Sequence, residues 1–255
     1  MKTIAIINQK GGVGKSTTAS AIGAGFIREG ARALFVDLDP QCNLGYLMRA
    51  DITGLTTPSA LDVLQGNATA ADAIQKTDQG DIVAAAPSLA GADVVLTATG
   101  KEYRLREALE TLAGQYDFCV IDTPPALGIL TVNALTACNG CIIPAQADFL
   151  SLQGIGQLHK TIETVRKYCN PGLKVFGIVL TRYNARAVIS REVTAMMEET
   201  AAALQTKVYK TRIRECTAIK EAQAMRQSVF DYSPKSNAST DYSKLLKEIR
   251  EDRKT

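Results

Sequence analysis

The chain has no tryptophan and only one histidine, His159, in 255 residues. A lone histidine in a helical pattern supports neither a catalytic triad nor a histidine-based metal site. No run of about 18 apolar residues occurs, so no segment reads as a membrane-spanning helix. The first apolar run, Ile4 to Ile7, stops at Asn8, too short for a signal-peptide core, and export is not expected. Without an export signal, the six cysteines (Cys42, Cys119, Cys138, Cys141, Cys169 and Cys216) read as reduced thiols in a cytoplasmic protein. Repeats, low-complexity tracts and Pro- or Ser-rich linkers are also missing. The expectation is one domain over residues 1–255, a length that can bury one large core.

Charge is present in both signs but unevenly placed. Residues 1–150 carry 10 Lys and Arg against 15 Asp and Glu, and residues 151–255 carry 19 against 11. A net of −5 followed by +8 suits a polyanionic partner for the second part, although scattered basic residues also serve simply to solubilise helices.

Apolar runs alternate with helical patterns, which predicts an α/β fold: a mostly parallel, twisted sheet with helices on both faces. Strands are expected at Thr3–Ile7, Ala33–Asp37, Asp81–Ala85, Phe118–Asp122, Cys141–Pro144, Val175–Thr181 and Lys207–Thr211. Their continuous apolar character fits strands covered on both faces. Helices are expected at Lys15–Glu29, Ser59–Leu64, Thr69–Gln75, Lys101–Ala113, Leu130–Ala137, Ser151–Tyr168, Ser190–Leu204 and Asp241–Glu251. Gly54–Thr57 and Pro87–Gly91 read as loops.

The first strand leads directly into Lys10-Gly-Gly-Val-Gly-Lys-Ser-Thr17, which opens the first helix. That context makes the segment a phosphate-binding loop of the P-loop NTPase type. Gly11, Gly12 and Gly14 let the backbone, with Val13, aim successive N–H groups at phosphate oxygens, and the helix adds its positive end. Lys15 is placed to bridge the β- and γ-phosphates of ATP, the Ser16 hydroxyl to ligate Mg²⁺, and Thr17 to flank them. The glycine that opens the ordinary motif is Gln9 here, and a second lysine, Lys10, has entered the loop. Its ammonium can neutralise phosphate charge in its own subunit or across a dimer interface.

Two acidic segments accompany the loop. Leu34-Phe-Val-Asp-Leu-Asp-Pro-Gln41 ends a strand with Asp37 and Asp39. A carboxylate here can orient attacking water or hold a Mg²⁺-bound water, or both can cap the turn. Tyr116-Asp-Phe-Cys-Val-Ile-Asp122 delivers Asp122 to the Mg²⁺ sphere from a buried strand, while Asp117 reads as a turn residue before it.

These segments together resemble the ParA and MinD ATPases, with their deviant Walker A box KGGVGKST. The likeness extends through Val120-Ile-Asp-Thr-Pro-Pro-Ala-Leu-Gly128, Pro144-Ala-Gln146, Lys220-Glu-Ala222 and Phe230-Asp-Tyr-Ser-Pro-Lys-Ser236. It is nearest to the short ParA or Soj-like forms, which lack an N-terminal helix-turn-helix domain. The resemblance implies that Lys10 acts in trans on a partner's nucleotide in an ATP-dependent homodimer. It also implies that Asp39 positions the hydrolytic water, that Asp37 supports the Mg²⁺ network, and that Thr123–Gly128 is a switch sensing the γ-phosphate. Leu180-Thr-Arg-Tyr-Asn184 and Arg212-Ile-Arg214 resemble the family's adenine loops, which makes Asn184 and Arg214 candidate nucleotide ligands. Family members bind DNA without sequence preference, associate with the nucleoid, and respond to a ParB-like centromere-binding protein. Candidate DNA contacts are Arg186, Arg191, Lys210, Arg212, Arg214 and Lys220; where some relatives carry an Arg ahead of the Glu-Ala pair, this chain has Ala218. The reaction implied is slow, partner-stimulated hydrolysis of ATP to ADP and phosphate.

Two rival readings share this fold. A MinD-like membrane-positioning ATPase needs a lipid-binding tail. The segment from Tyr242 to Thr255 spaces Tyr242, Leu245, Leu246 and Ile249 helically, but it carries Glu248, Glu251 and Asp252, which anionic lipids repel. A membrane partner is therefore not expected. An iron–sulfur carrier would use Cys138-Asn-Gly-Cys141. Those cysteines end a helix and begin an apolar strand, so a structural role is the expectation.

Overall fold

The computed structural model describes residues 1–251. Seven strands form one sheet: β1 (Lys2–Ile6), β2 (Ala33–Asp37), β3 (Ile74–Thr77), β4 (Gly80–Val83), β5 (Phe118–Asp122), β6 (Gly140–Ala145) and β7 (Lys174–Leu180). They lie in the order β3-β4-β2-β5-β1-β6-β7, and every pairing is parallel except the β3–β4 hairpin. The connections carry α1 (Lys15–Arg28), α2 (Asn43–Leu47), α3 (Ala60–Gln65), α4 (Ala92–Val95), α5 (Arg104–Glu110), α6 (Ile129–Ala137), α7 (Phe149–Tyr168), α8 (Val188–Ala203), α9 (Thr217–Ala224), α10 (Val229–Tyr232) and α11 (Asn237–Glu251).

Successive side chains of a strand point to opposite faces, so a sheet covered on both sides needs apolar residues at every position. Here Ala5, Leu34, Val36, Cys119, Ile121 and Ile143 enter one core, beneath α3 and α5 to α8. Their neighbours Ile4, Ile6, Phe35, Val120 and Ile142 enter the other, beneath α1, α10 and α11. Helix α1 sits close on the sheet through Gly23 and Gly25. A Cβ at Gly23 would overlap the Phe35 ring, and one at Gly25 would overlap Leu246 of α11.

Three expectations are corrected. Thr69–Gln75 is not a helix: its end joins β3, whose antiparallel pairing from Ile74–Val83 to Thr77–Gly80 overrides the Ala-rich helical signal. Lys207–Thr211 is not a strand. Val208 touches β7 by a single bridge to Ile178, and the chain then peels away, where Glu248 of α11 accepts from the N–H groups of Lys210 and Thr211, both at 2.8 Å. Lys101–Ala113 divides into a 3₁₀ turn at Lys101–Tyr103 and α5.

Tyr242, Leu245, Leu246 and Ile249 are all buried in the second core. The tail apolar stripe is thus occupied by packing; the Tyr242 hydroxyl also lies 3.2 Å from Thr18 Oγ1 of α1. Residues Asp252 to Thr255 lie outside the described residues. Among the described residues no helix is long and apolar enough to cross a membrane.

Candidate nucleotide site

Parallel strands send their carboxyl ends to one edge of the sheet, where ligands of open α/β folds bind. Register pairs Asp37 of β2 with Asp122 of β5, and Asp122 with Ile6 of β1, so the loop after β1 and both acidic strand ends converge. The loop wraps the start of α1, with Gly12 at φ 73° and Gly14 at φ 87°, conformations that favour glycine. Nothing lies within 4 Å of a Cβ built on Gly11 or Gly12, so those backbone groups face open space.

Neighbouring strand ends hold the loop in shape. The Thr181 hydroxyl donates to Val13 O at 2.8 Å, Asn8 Nδ2 to Pro144 O at 2.6 Å, and Lys10 N to Asn8 Oδ1 at 2.9 Å. Lys15 Nζ donates to Lys10 O at 3.3 Å. Burial holds the Lys15 ammonium below its ordinary pKa, while Asp122 and Asp39 pull it back up.

The three carboxylates differ in their surroundings. Asp37 accepts from Asp39 N at 3.0 Å and Gly45 N at 2.9 Å; burial pushes it up to about 7 against those bonds. Its oxygens are thus used inside the β2–α2 turn. Asp39 lines the cleft and accepts from Gln41 N at 3.0 Å. Asp122 is fully buried, and neither of its carboxylate oxygens has a hydrogen-bond partner of normal geometry. Burial raises Asp122 well above the usual carboxylate range and Asp37 adds to this, while Ser16 and Lys15 oppose it. An unpartnered buried carboxylate beside a hydroxyl is a hard-oxygen donor set, which fits Mg²⁺ held directly or through water.

Lys10 is engaged within its own chain. Its ammonium donates to Asp148 Oδ2 at 2.5 Å and lies 3.4 Å from Gln146 Oε1 and from Ser151 Oγ. Asp148 is the N-cap of α7, accepting from Ser151 N at 2.8 Å. Burial alone would raise Asp148, but Lys10 and Ser151 together hold it below the usual carboxylate range.

An open cleft of about 570 Å³ runs from the glycine loop past Asp39 to Asn43, Tyr46 and Gln223. A narrower one of about 100 Å³ adjoins it between Gly14, Thr181, Arg214 and Tyr242. Of the adenine-loop candidates, Arg214 lines the narrow cleft, but its guanidinium is paired with Asp241 at 2.7 Å. Asn184 lines neither; it accepts from Arg186 N at 3.0 Å in an exposed turn. Arg182, at φ 47°, lines both instead. Gln223 also lines both, and its Nε2 donates to Thr17 Oγ1 at 2.8 Å. Sequence reading missed both, although Arg182 sits inside the quoted Leu180–Asn184 segment.

The basic candidates are unequal. Arg186, Arg191 and Lys210 are exposed. Arg212 lies over the Tyr183 ring and 3.7 Å from Glu198, and Lys220 lies 3.8 Å from Glu215. Cys138 and Cys141 are both free and buried, with burial pushing each thiol up. Among the described residues no group of three or more His, Cys, Asp or Glu is placed to hold a metal ion. His159 Nε2 faces Glu163 at 3.5 Å on the outside of α7.

The AAA domain family matches residues 1–175. The chain is 39% identical over 255 residues to the sporulation initiation inhibitor protein Soj of Bacillus subtilis, covering 97% of this chain and 98% of that one. It is 39% identical over 254 residues to the chromosome partitioning protein ParA of Caulobacter vibrioides, covering 98% and 94%. The solved structure of cobyrinic acid a,c-diamide synthase from Mycobacterium smegmatis with bound ADP and magnesium is similar at a TM-score of 0.85 and 34% identity, covering 100% of this chain and 96% of that one. With a glycine loop, a buried acidic strand end and full-length likeness to these partition proteins, the chain belongs to the ParA/Soj family of ATP-binding partition ATPases.

Proposed function

We propose that this chain is a Mg²⁺-dependent ATPase whose ATP-bound form is a homodimer that binds DNA without sequence preference, serving plasmid or chromosome partition. The observation that carries this reading is a buried Asp122 carboxylate without a hydrogen-bond partner of normal geometry, at the strand end beside a glycine loop that carries a second lysine, Lys10, held only by its own chain's Asp148, Gln146 and Ser151. Ser16 and Asp122 would hold Mg²⁺, which supplies charge neutralisation at the β- and γ-phosphates, with Asp37 bracing the turn behind them. Lys15 and the amides from Gly11 to Thr17 bind the phosphates, Asp39 orients the attacking water, and Arg182 with the Arg214 loop encloses the base.

Lys10 would leave Asp148 and reach the nucleotide of the facing subunit. Its pair with Asp148 is only part-buried, at 25% and 38% side-chain exposure, and such pairs are worth about 1 kcal/mol or less. One charge-assisted contact to a desolvated phosphate outweighs that. The magnesium and ADP bound by the Mycobacterium smegmatis relative support the same use of this cleft.

Hydrolysis to ADP and phosphate, slow until stimulated by a ParB-like centromere-binding protein, would release the dimer from nucleoid DNA in the cytoplasm. Exposed Arg186, Arg191 and Lys210 are the first DNA contacts to test, with Arg212, Arg214 and Lys220 drawn partly into ion pairs. The test is binding of a random duplex with ATP, ADP or no nucleotide at two salt concentrations, beside anionic liposomes. Salt-sensitive DNA binding only with ATP is expected. ATP-dependent liposome binding without DNA binding would overturn the reading in favour of a membrane-positioning ATPase.

A further inference from the structure

Helix α6 begins where the segment Thr123–Gly128 ends, yet its N-cap position is Gly128, which has no side chain to offer. The cap comes from elsewhere in the chain. Asp93, on the short helix α4, accepts from Ile129 N through Oδ1 at 2.8 Å. Independently, a Cβ built on Gly128 would lie 2.6 Å and 2.8 Å from the two Asp93 oxygens, so the carboxylate lies flush against the Gly128 α-carbon. Helix α4 can hold it there because Leu89, Ala92 and Leu96 around it are buried in the core that α6 also enters.

The segment between has one other anchor near each end. The Thr123 hydroxyl donates to Ile6 O at 2.9 Å, immediately after Asp122, and the Thr131 hydroxyl donates to Ala126 O at 2.6 Å. Between them Pro125 lines the phosphate cleft. The chain leaving Asp122 therefore passes the cleft and is fastened at its far end by Asp93.

We propose that Asp93 is a positioning residue that sets the conformation of Thr123–Gly128, and through it the cleft wall at Pro125, for ATP hydrolysis. This rests on the ATPase reading of the cleft. Glycine at 128 is required because any larger residue pushes the clamp away, and the carboxylate adds a favourable charge at the positive end of α6.

The test compares Asp93→Ala, Asp93→Asn and Gly128→Ala with the unaltered chain. Hydrogen exchange is read over residues 123–132 without nucleotide, and kcat and KM are read for Mg²⁺–ATP hydrolysis. Asp93→Ala should speed exchange at the start of α6 by about fivefold, the factor that matches loss of one helix cap. It should lower kcat by a similar factor with little change in KM. Asp93→Asn, which keeps the acceptor oxygen, should recover most of both. Gly128→Ala should copy Asp93→Ala, and the double variant should be no worse than either single change. Unchanged exchange, acceleration spread over the whole sheet, or Asn behaving like Ala would each overturn the proposal. If the unaltered chain hydrolyses no ATP, the ATPase reading fails, and exchange alone decides whether Asp93 fastens the segment.

Discussion

Asp122 at the end of β5 and Asp117 just before its start show how differently two neighbouring acids can be used. Asp122 keeps two unpartnered oxygens in the interior, a state that is costly unless a cation or a proton meets it. Asp122→Ala should therefore abolish Mg²⁺-dependent hydrolysis, by about 100-fold or more, while the folded protein survives. Phosphate release against Mg²⁺ concentration measures it, and an unchanged rate would remove Asp122 from the metal site. Asp117, exposed in the bend just before β5, is held down to about 2 by the Arg32 guanidinium and amide. A depressed carboxylate pKa contributes stability that is present above its unfolded value, near 4, and is lost as pH falls toward about 2. Asp117→Asn should flatten the stability profile across that window, lowering the melting temperature slightly near neutrality and converging with the unaltered chain near pH 2, as acid titration of the melting temperature would show.

Among the elements, α11 has the most to say about the competing membrane role. Its apolar stripe fills the second core, Leu246 lies against Gly25 of α1, and Glu248 caps the Lys210–Thr211 turn. Leu246→Ala should cost about 2–5 kcal/mol, seen as a melting temperature lower by several degrees. A tail kept for lipid binding would instead give a stable protein that leaves liposomes. The central strands and α1 were legible in the sequence because local signals agree there: continuous apolar runs, a glycine loop, then a helical pattern. Strand β3 was hidden because its partner β4 and the Thr77–Gly80 turn decide its state, while the Ala-rich run Thr69–Ala73 just before it favours a helix. Helix α9 was missed because it buries only the small residues Ala218 and Ala222, which leave a weak periodic signal.

For the whole molecule, the sheet order explains why widely separated segments were recognisable as one site. The loop, Asp37, Asp39 and Asp122 all lie at or just after strand ends, and parallel topology brings strand ends together without further instruction. Gln223, Arg182 and the Asp93 clamp depend on how loops and short helices fold back over that edge, which spacing along the chain does not encode. The same topology leaves Lys10 on the rim, bonded to Asp148 and close to exposed Phe149 and Leu150, where a second subunit could meet it. The most direct test is sedimentation of the unaltered chain and Lys10→Ala with Mg²⁺ and a non-hydrolysable ATP analogue, with ADP, or without nucleotide. A dimer is expected only for the unaltered chain with the analogue. A monomer under all conditions, or a dimer formed equally well by Lys10→Ala, would contradict this expectation.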